Sequence, residues 1–210
     1  MNYTKITWLV SLAVLITCTF NQSYAQTSKR AGIKGGLNVS NLYIDQVNDE
    51  NARIGAHFGF FAQVLSTEVI AIQTELLFST RGSLATYTGF VDQEIKYNLS
   101  YIDLPVLAVI KVGENVEFHA GGYGSYLIDA NISYEGDVAN GVDQVDRDQL
   151  KSYDFGLAAG VGITVGAVQL GMRYNYGLVE IADSDNSRAV LGDAKNSCAQ
   201  LFVAFSFGGQ

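Results

Sequence analysis

The side chains best suited to chemistry in this chain are few. Its only two histidines are His57 and His119, the second lying two positions after Glu117. Imidazole and carboxylate together could hold a metal ion, but neither histidine stands in an H-x-x-x-H spacing and no cysteine-rich run accompanies them, so hydrogen-bonded interior side chains are the simpler reading. The stretch Gly122-Tyr123-Gly124-Ser125-Tyr126 only approaches a G-x-S-x-G nucleophile elbow, and no strand-turn-helix pattern follows it. Gly160-Val161-Gly162 is no dinucleotide fingerprint, because the spacing to Gly166 is wrong and no helix begins there. Asp143, Asp146 and Asp148 could meet a divalent cation, yet the segment lacks the glycine and final glutamate of a helix-loop-helix calcium site, and a solvated loop accounts for it. No catalytic constellation, cofactor site or metal-ligand set is expected.

The charged residues are more informative than these fragments. Lys34, Glu75, Arg81, Asp103, Lys111, Glu117, Asp154 and Arg173 each fall in a segment that alternates apolar with polar or small residues. In Gly32–Asn41 one parity carries Ile33, Gly35, Leu37 and Val39, the other Lys34, Gly36, Asn38 and Ser40. Period two belongs to a strand with two unlike faces. The same rhythm recurs in Arg53–Leu65, Val69–Arg81, Asn98–Lys111, Val116–Ile128, Tyr153–Val165, Val168–Tyr176 and Cys198–Phe207. That makes eight segments.

Their connections alternate short and long. Ser66-Thr67-Glu68, Val112 to Asn115 and Gly166-Ala167 are short; residues 44–52, 82–97, 129–152 and 177–197 are long. If neighbours pair antiparallel, the short turns collect at one end and the long loops at the other, as in outer-membrane barrels with an even strand count. The expected fold is all-β: an eight-stranded antiparallel up-and-down transmembrane β-barrel, apolar parity in lipid and polar parity inside. Four acids and four bases among the residues named above balance each other, and buried charges need such partners. They are expected to form a structural ion-pair network in the lumen, since eight strands leave a bore that side chains fill. Inward glycines such as Gly36, Gly59 and Gly171 suit that narrow space. Tyr43, Tyr97, Tyr101, Tyr126, Phe155, Tyr174 and Tyr176 near the long loops, with Phe118 and Phe207 near the short turns, are expected to make two interfacial girdles. Pro105, the only proline, is expected to force a bulge or local break in the fourth strand. A soluble eight-stranded barrel with the faces reversed is the structural rival.

Residues 1–25 read as an export signal: Lys5, the apolar Ile6 to Phe20, then Ser23-Tyr24-Ala25 as a small-x-small cleavage site. Leu15-Ile16-Thr17-Cys18 offers an alternative lipoprotein box with an unusually large residue before the cysteine. Cleavage after Ala25 leaves residues 26–210 as one barrel domain, and losing Lys5 takes the formal charge from −8 to −9. So acidic a chain lacks the basic footprint of nucleic-acid binding. Cys198 then stands alone, so no internal disulfide is expected.

Four motifs together resemble the outer-membrane β-barrel domain proteins of Bacteroidetes, often described as PorT-like. They are Gly32-Ile33-Lys34-Gly35-Gly36-Leu37-Asn38-Val39-Ser40, Tyr101-Ile102-Asp103-Leu104-Pro105, Asp154-Phe155-Gly156-Leu157 with Gly160 and Gly162, and Tyr174-Asn175-Tyr176-Gly177-Leu178. The resemblance implies a barrel in the outer membrane and says little of activity; some relatives take part in secretion. The expected role is structural or interaction-based, without catalysis: envelope integrity, adhesion, or association with envelope or secretion-complex proteins, with outer-membrane lipid as the surrounding partner. The alternative is a narrow channel or small-ligand binder using the polar lumen.

Overall fold

A computed structural model describes residues 30–43, 51–87, 93–136, 141–144, 151–181 and 195–207. The expected leader, Asp146, Asp148 and residues 208–210 lie outside the described residues. Nine strands follow in order: β1 (Ala31–Tyr43), β2 (Asn51–Ser66), β3 (Ile70–Tyr87), β4 (Gln93–Val112), β5 (Val116–Gly136), β6 (Gly141–Gln144), β7 (Tyr153–Val165), β8 (Val168–Glu180) and β9 (Lys195–Phe207). All but β6 form a closed antiparallel ring in chain order, sealed where β1 pairs β9 from Ala31↔Phe207 to Tyr43↔Lys195. The eight-stranded barrel is therefore present, with β6 added outside it against Asn131 to Tyr134 of β5. Among the described residues no helix is long and apolar enough to cross a membrane.

Period two explains both surfaces. The outward parity leaves large apolar side chains uncovered: Ile54 is 72% exposed, Phe58 62% and Leu170 58%. Lys34, Glu75, Arg81, Asp103 and Arg173 are buried on the inward parity. A soluble barrel would bury the first set and wet the second. Closure gives every strand two neighbours, the condition for carrying backbone polar groups through hydrocarbon. Thirteen residues, the length of β1, β7, β8 and β9, rise about 33 Å at a tilt near 40°, more than the apolar band of roughly 25 Å. A walk across hydrogen-bonded partners from Ala71 through Val109, His119, Gly160, Arg173, Gln200 and Asn38 returns to β3 about ten residues further along, near Arg81. That stagger brings side chains from distant sequence positions to one level.

Turn chemistry sets the short end. Gly166 opens a two-residue turn at φ 59° between Val165 and Val168, and Gly113 sits at φ 64° between β4 and β5, a left-handed conformation that glycine adopts without steric cost.

Two expectations need correction and a third is narrowed. The long connection at 82–97 is largely strand, and that at 129–152 is strand over 129–136 and 141–144, because β3, β4 and β5 run to 18, 20 and 21 residues and β6 follows. Pro105 is met by the local break and not by a bulge: it stays in register with Tyr123, while β3–β4 pairing lapses between Thr74↔Val106 and Leu77↔Asp103 before resuming in the same register. Register shifts fall at the rims instead. One leaves Ile128 unpaired, so that Leu127 and Ala130 both turn inward; another brings Gln63 and Ser66 inward and Leu65 outward. Tyr101 belongs to no girdle, being buried in the lumen, whereas Tyr126, Phe155, Tyr174, Tyr176, Phe118 and Phe207 do face out.

Candidate functional site in the lumen

The inward side chains stack in levels along the barrel. At the short-turn mouth Arg30, just before β1, reaches across the bore to Glu117 of β5 at 2.5 Å. Gln169 of β8 donates to the other Glu117 oxygen at 2.7 Å, and the Arg30 guanidinium also approaches Ser206 Oγ at 3.3 Å. Lys111 lies apart at the same mouth, its Nζ donating to Ser66 Oγ and the Thr67 carbonyl.

The middle level centres on Glu75 of β3. Both terminal nitrogens of Arg173 (β8) donate to its two oxygens at 2.7 Å, Lys34 (β1) reaches it at 3.1 Å, and Gln73 adds a bond of 2.7 Å. A forked guanidinium on a carboxylate is the strongest ionic geometry available to side chains. Phe202 of β9 packs beside the cations: Lys34 Nζ lies 3.6 Å from its ring centroid and the Arg173 guanidinium 5.6 Å, with the His119 ring stacked at 6.2 Å. Glycine makes this possible. Phe202 has Gly36 of β1 and Gly171 of β8 as register partners, and a Cβ on Gly171 would run into the ring.

Above lies a neutral level. Asn38 donates to Ser79 Oγ at 3.0 Å and accepts through Oδ1 from Gln200 at 3.0 Å and from His57 Nδ1 at 2.7 Å. Towards the long loops Arg81 pairs with Asp103, and its Nη1 stands 3.6 Å from Asp154. Ser125 donates to Asp103 at 2.6 Å, while Asn196 and Tyr123 donate to Asp154 at 2.9 and 3.2 Å. The middle level thus carries one excess positive charge and the outer level one excess negative.

The eight charged residues singled out from sequence therefore occupy three levels rather than one ring, with Arg30 as a member that the alternating segments did not include. The interior is also less polar than its parity suggested. Leu77, Leu107, Val109, Leu127 and Phe202 are buried there, with Phe61, Phe202 and Ala204 in one cluster and Leu107, Tyr123 and Ala158 in another. The available signal was parity within each strand: Leu107 and Val109 share it with Asp103 on β4, Leu127 with Glu117 on β5, Leu77 with Glu75 on β3 and Phe202 with Gln200 on β9. His57 and His119 sit at different levels, and among the described residues no three of His, Cys, Asp or Glu are grouped to hold a metal ion. Cys198 is a buried free thiol.

No curated protein matches the sequence. Solved structures with which the chain aligns include Ail, the attachment invasion locus protein of Yersinia pestis (TM-score 0.45, 13% identity, 87% of this chain and 100% of that one). Neisserial surface protein A aligns with TM-score 0.42 and 11% identity over 85% and 97% of the two chains. OprG from Pseudomonas aeruginosa gives 0.37 and 9% over 87% and 97%. The sequence itself matches the outer membrane protein beta-barrel domain across residues 24–183. With a closed barrel, an apolar exterior and a charge-filled interior, the chain belongs to that family and resides in the outer membrane.

Proposed function

We propose that the protein is a non-catalytic interaction module of the cell envelope, whose barrel is an anchor and whose long-loop end presents a sheet to a partner protein. The carrying observation is that β4 and β5 stay paired for eight further residue pairs, Ser100↔Asp129 to Gln93↔Gly136, beyond the level of Tyr126↔Tyr153 where β7 begins. At about 3.3 Å per residue and a tilt near 40° this outgrowth rises ~20 Å past the rim. Asn98 donates to Asn131 Oδ1 and Ser133 Oγ across it. Strand β6 extends the sheet by four residues and, among the described residues, pairs only with β5. Such an edge accepts an added strand. Residues 129–152 carry six acids against two bases, so a basic extended segment is the complementary partner.

On this reading residues 1–25 are a removed signal peptide, residues 26–210 the mature domain, and the lumen ion pairs structural. On the same reading the chain is of a PorT-like Bacteroidetes branch, supported by the resemblance of its four motifs, and an envelope or secretion-complex protein is the partner class. Short turns face the periplasm and long loops the exterior, the usual polarity of such barrels. Crosslinking in intact cells, followed by pull-down of the full chain and of a variant lacking residues 137–148, tests the proposal. A partner captured by the full chain and lost with the deletion is expected. Equal capture by both, or none by either, overturns it.

A further inference from the structure

We infer that the lumen is a latent aqueous path kept shut by one aromatic side chain, Phe202. This is independent of the interaction role and concerns the middle of the barrel interior rather than its long-loop end. Among the buried polar atoms of the described residues without a hydrogen-bond partner, four lie next on the long-loop side of Phe202, namely Arg173 Nε, Gln200 Oε1, Asn175 Oδ1 and His57 Nε2, with Arg81 Nε and Nη1 and Asp154 Oδ1 further along. The four come from β2, β8 and β9 and are all at least nine-tenths buried. With Nδ1 bonded to Asn38 Oδ1, His57 presents Nε2 as an acceptor. The set thus mixes one donor with three acceptors. Water serves both, and buried polar groups left unpaired cost too much to stay so.

On the short-turn side lies a second hydrophilic group, Arg30, Glu117, Gln169 and Ser206, open enough that the Arg30 side chain keeps 12% exposure. Between the two sits the apolar cluster of Phe61, Phe202 and Ala204. Within it Phe202 reaches furthest. Starting from β9 it meets Lys34 on β1 and Arg173 on β8, the adjacent strands, and His119 on β5 beyond them, so its ring projects into the bore. Flanking glycines admit the ring, and two cations on its face hold it. The class of species that the opened path would pass is water and small hydrophilic solutes.

Cys198 supplies a reporter, because it lies on the same inward row of β9, four residues beyond Phe202 on the sealed side, and is buried. The full chain carrying Cys18→Ser, refolded in phospholipid vesicles, would be treated with a small water-soluble methanethiosulfonate. Labelling of Cys198 in this parent is expected to be slow. Phe202→Ala should speed it about tenfold, equivalent to ~1.4 kcal/mol of barrier, and Phe61→Ala with Phe202→Ala should exceed that. Phe202→Leu, which keeps bulk, should label as slowly as the parent. Circular dichroism and protease resistance verify folding, and Phe202→Val replaces the alanine variant if that one does not fold. A folded small-residue variant that labels no faster than the parent, or a parent that labels as fast as Phe202→Ala, overturns the inference.

Discussion

Glu75 shows how one residue governs the interior. It is the single carboxylate shared by Lys34 and Arg173, and all three are buried. Removing one partner of a buried ion pair leaves charge without compensation, whereas replacing the whole set with apolar groups also removes the desolvation cost. Glu75→Gln should therefore lower unfolding stability by about 3–5 kcal/mol in a urea titration of the vesicle-inserted barrel. The combined change Lys34→Met, Glu75→Leu and Arg173→Met should recover most of that loss, leaving only Gln73 short of its acceptor. A Glu75→Gln barrel as stable as the parent would mean that lumen water, not Glu75, neutralises the cations. Residue-level legibility was uneven for a physical reason. Period two reveals which side of a strand each residue takes, but partners depend on stagger, which no local pattern encodes. Glu75 meets side chains 41 and 98 positions away. Arg30 lies outside any alternating run, so nothing local marked its reach to Glu117.

At the scale of elements, the eight barrel strands were read correctly in number and order, whereas β6 and the full lengths of β3, β4 and β5 were not. Alternation continues beyond the rim: Ile95, Tyr97 and Leu99 alternate with Glu94, Lys96, Asn98 and Ser100, and Ala130, Ile132 and Tyr134 with Asp129, Asn131, Ser133 and Glu135. Backbone pairing continues with it, so the signal for the longer strands was present but falls where charged and small residues suggest loops. Proline was a sound signal of interruption and left its form, bulge or break, open. An antiparallel residue directs its N–H and carbonyl to the same neighbour, and the pairing that lapses is with β3, not β5. The absent donor of Pro105 thus faces Glu75, whose side chain is already fixed by Lys34 and Arg173. Pro105→Ala should supply that donor and close the gap. Its new amide should show slowed hydrogen exchange by NMR, while overall stability moves by no more than about 1 kcal/mol, one hydrogen bond gained against the entropy that proline removed from the unfolded chain. An unprotected amide at position 105 would show that side-chain crowding, not the missing N–H, parts the strands.

The whole molecule rests on an inverted distribution of polarity, and one position tests it with little ambiguity. Leu201 is the seventh of the thirteen residues of β9, half-exposed and flanked in register by Leu37 and Met172. It lies midway between the rims, on the seam that closes the ring. If Leu201 met water, arginine would be nearly harmless, because an exposed surface substitution shifts stability by only about 0.5 kcal/mol. At the middle of a bilayer the same change costs about 2–4 kcal/mol, falling to roughly 0–1 near the interfaces. Leu201→Arg should therefore destabilise the vesicle-inserted barrel by the larger amount. The same substitution at Phe207, close to the short-turn rim, should cost much less. Equal losses at both sites would remove the depth dependence that only a lipid-facing belt can produce.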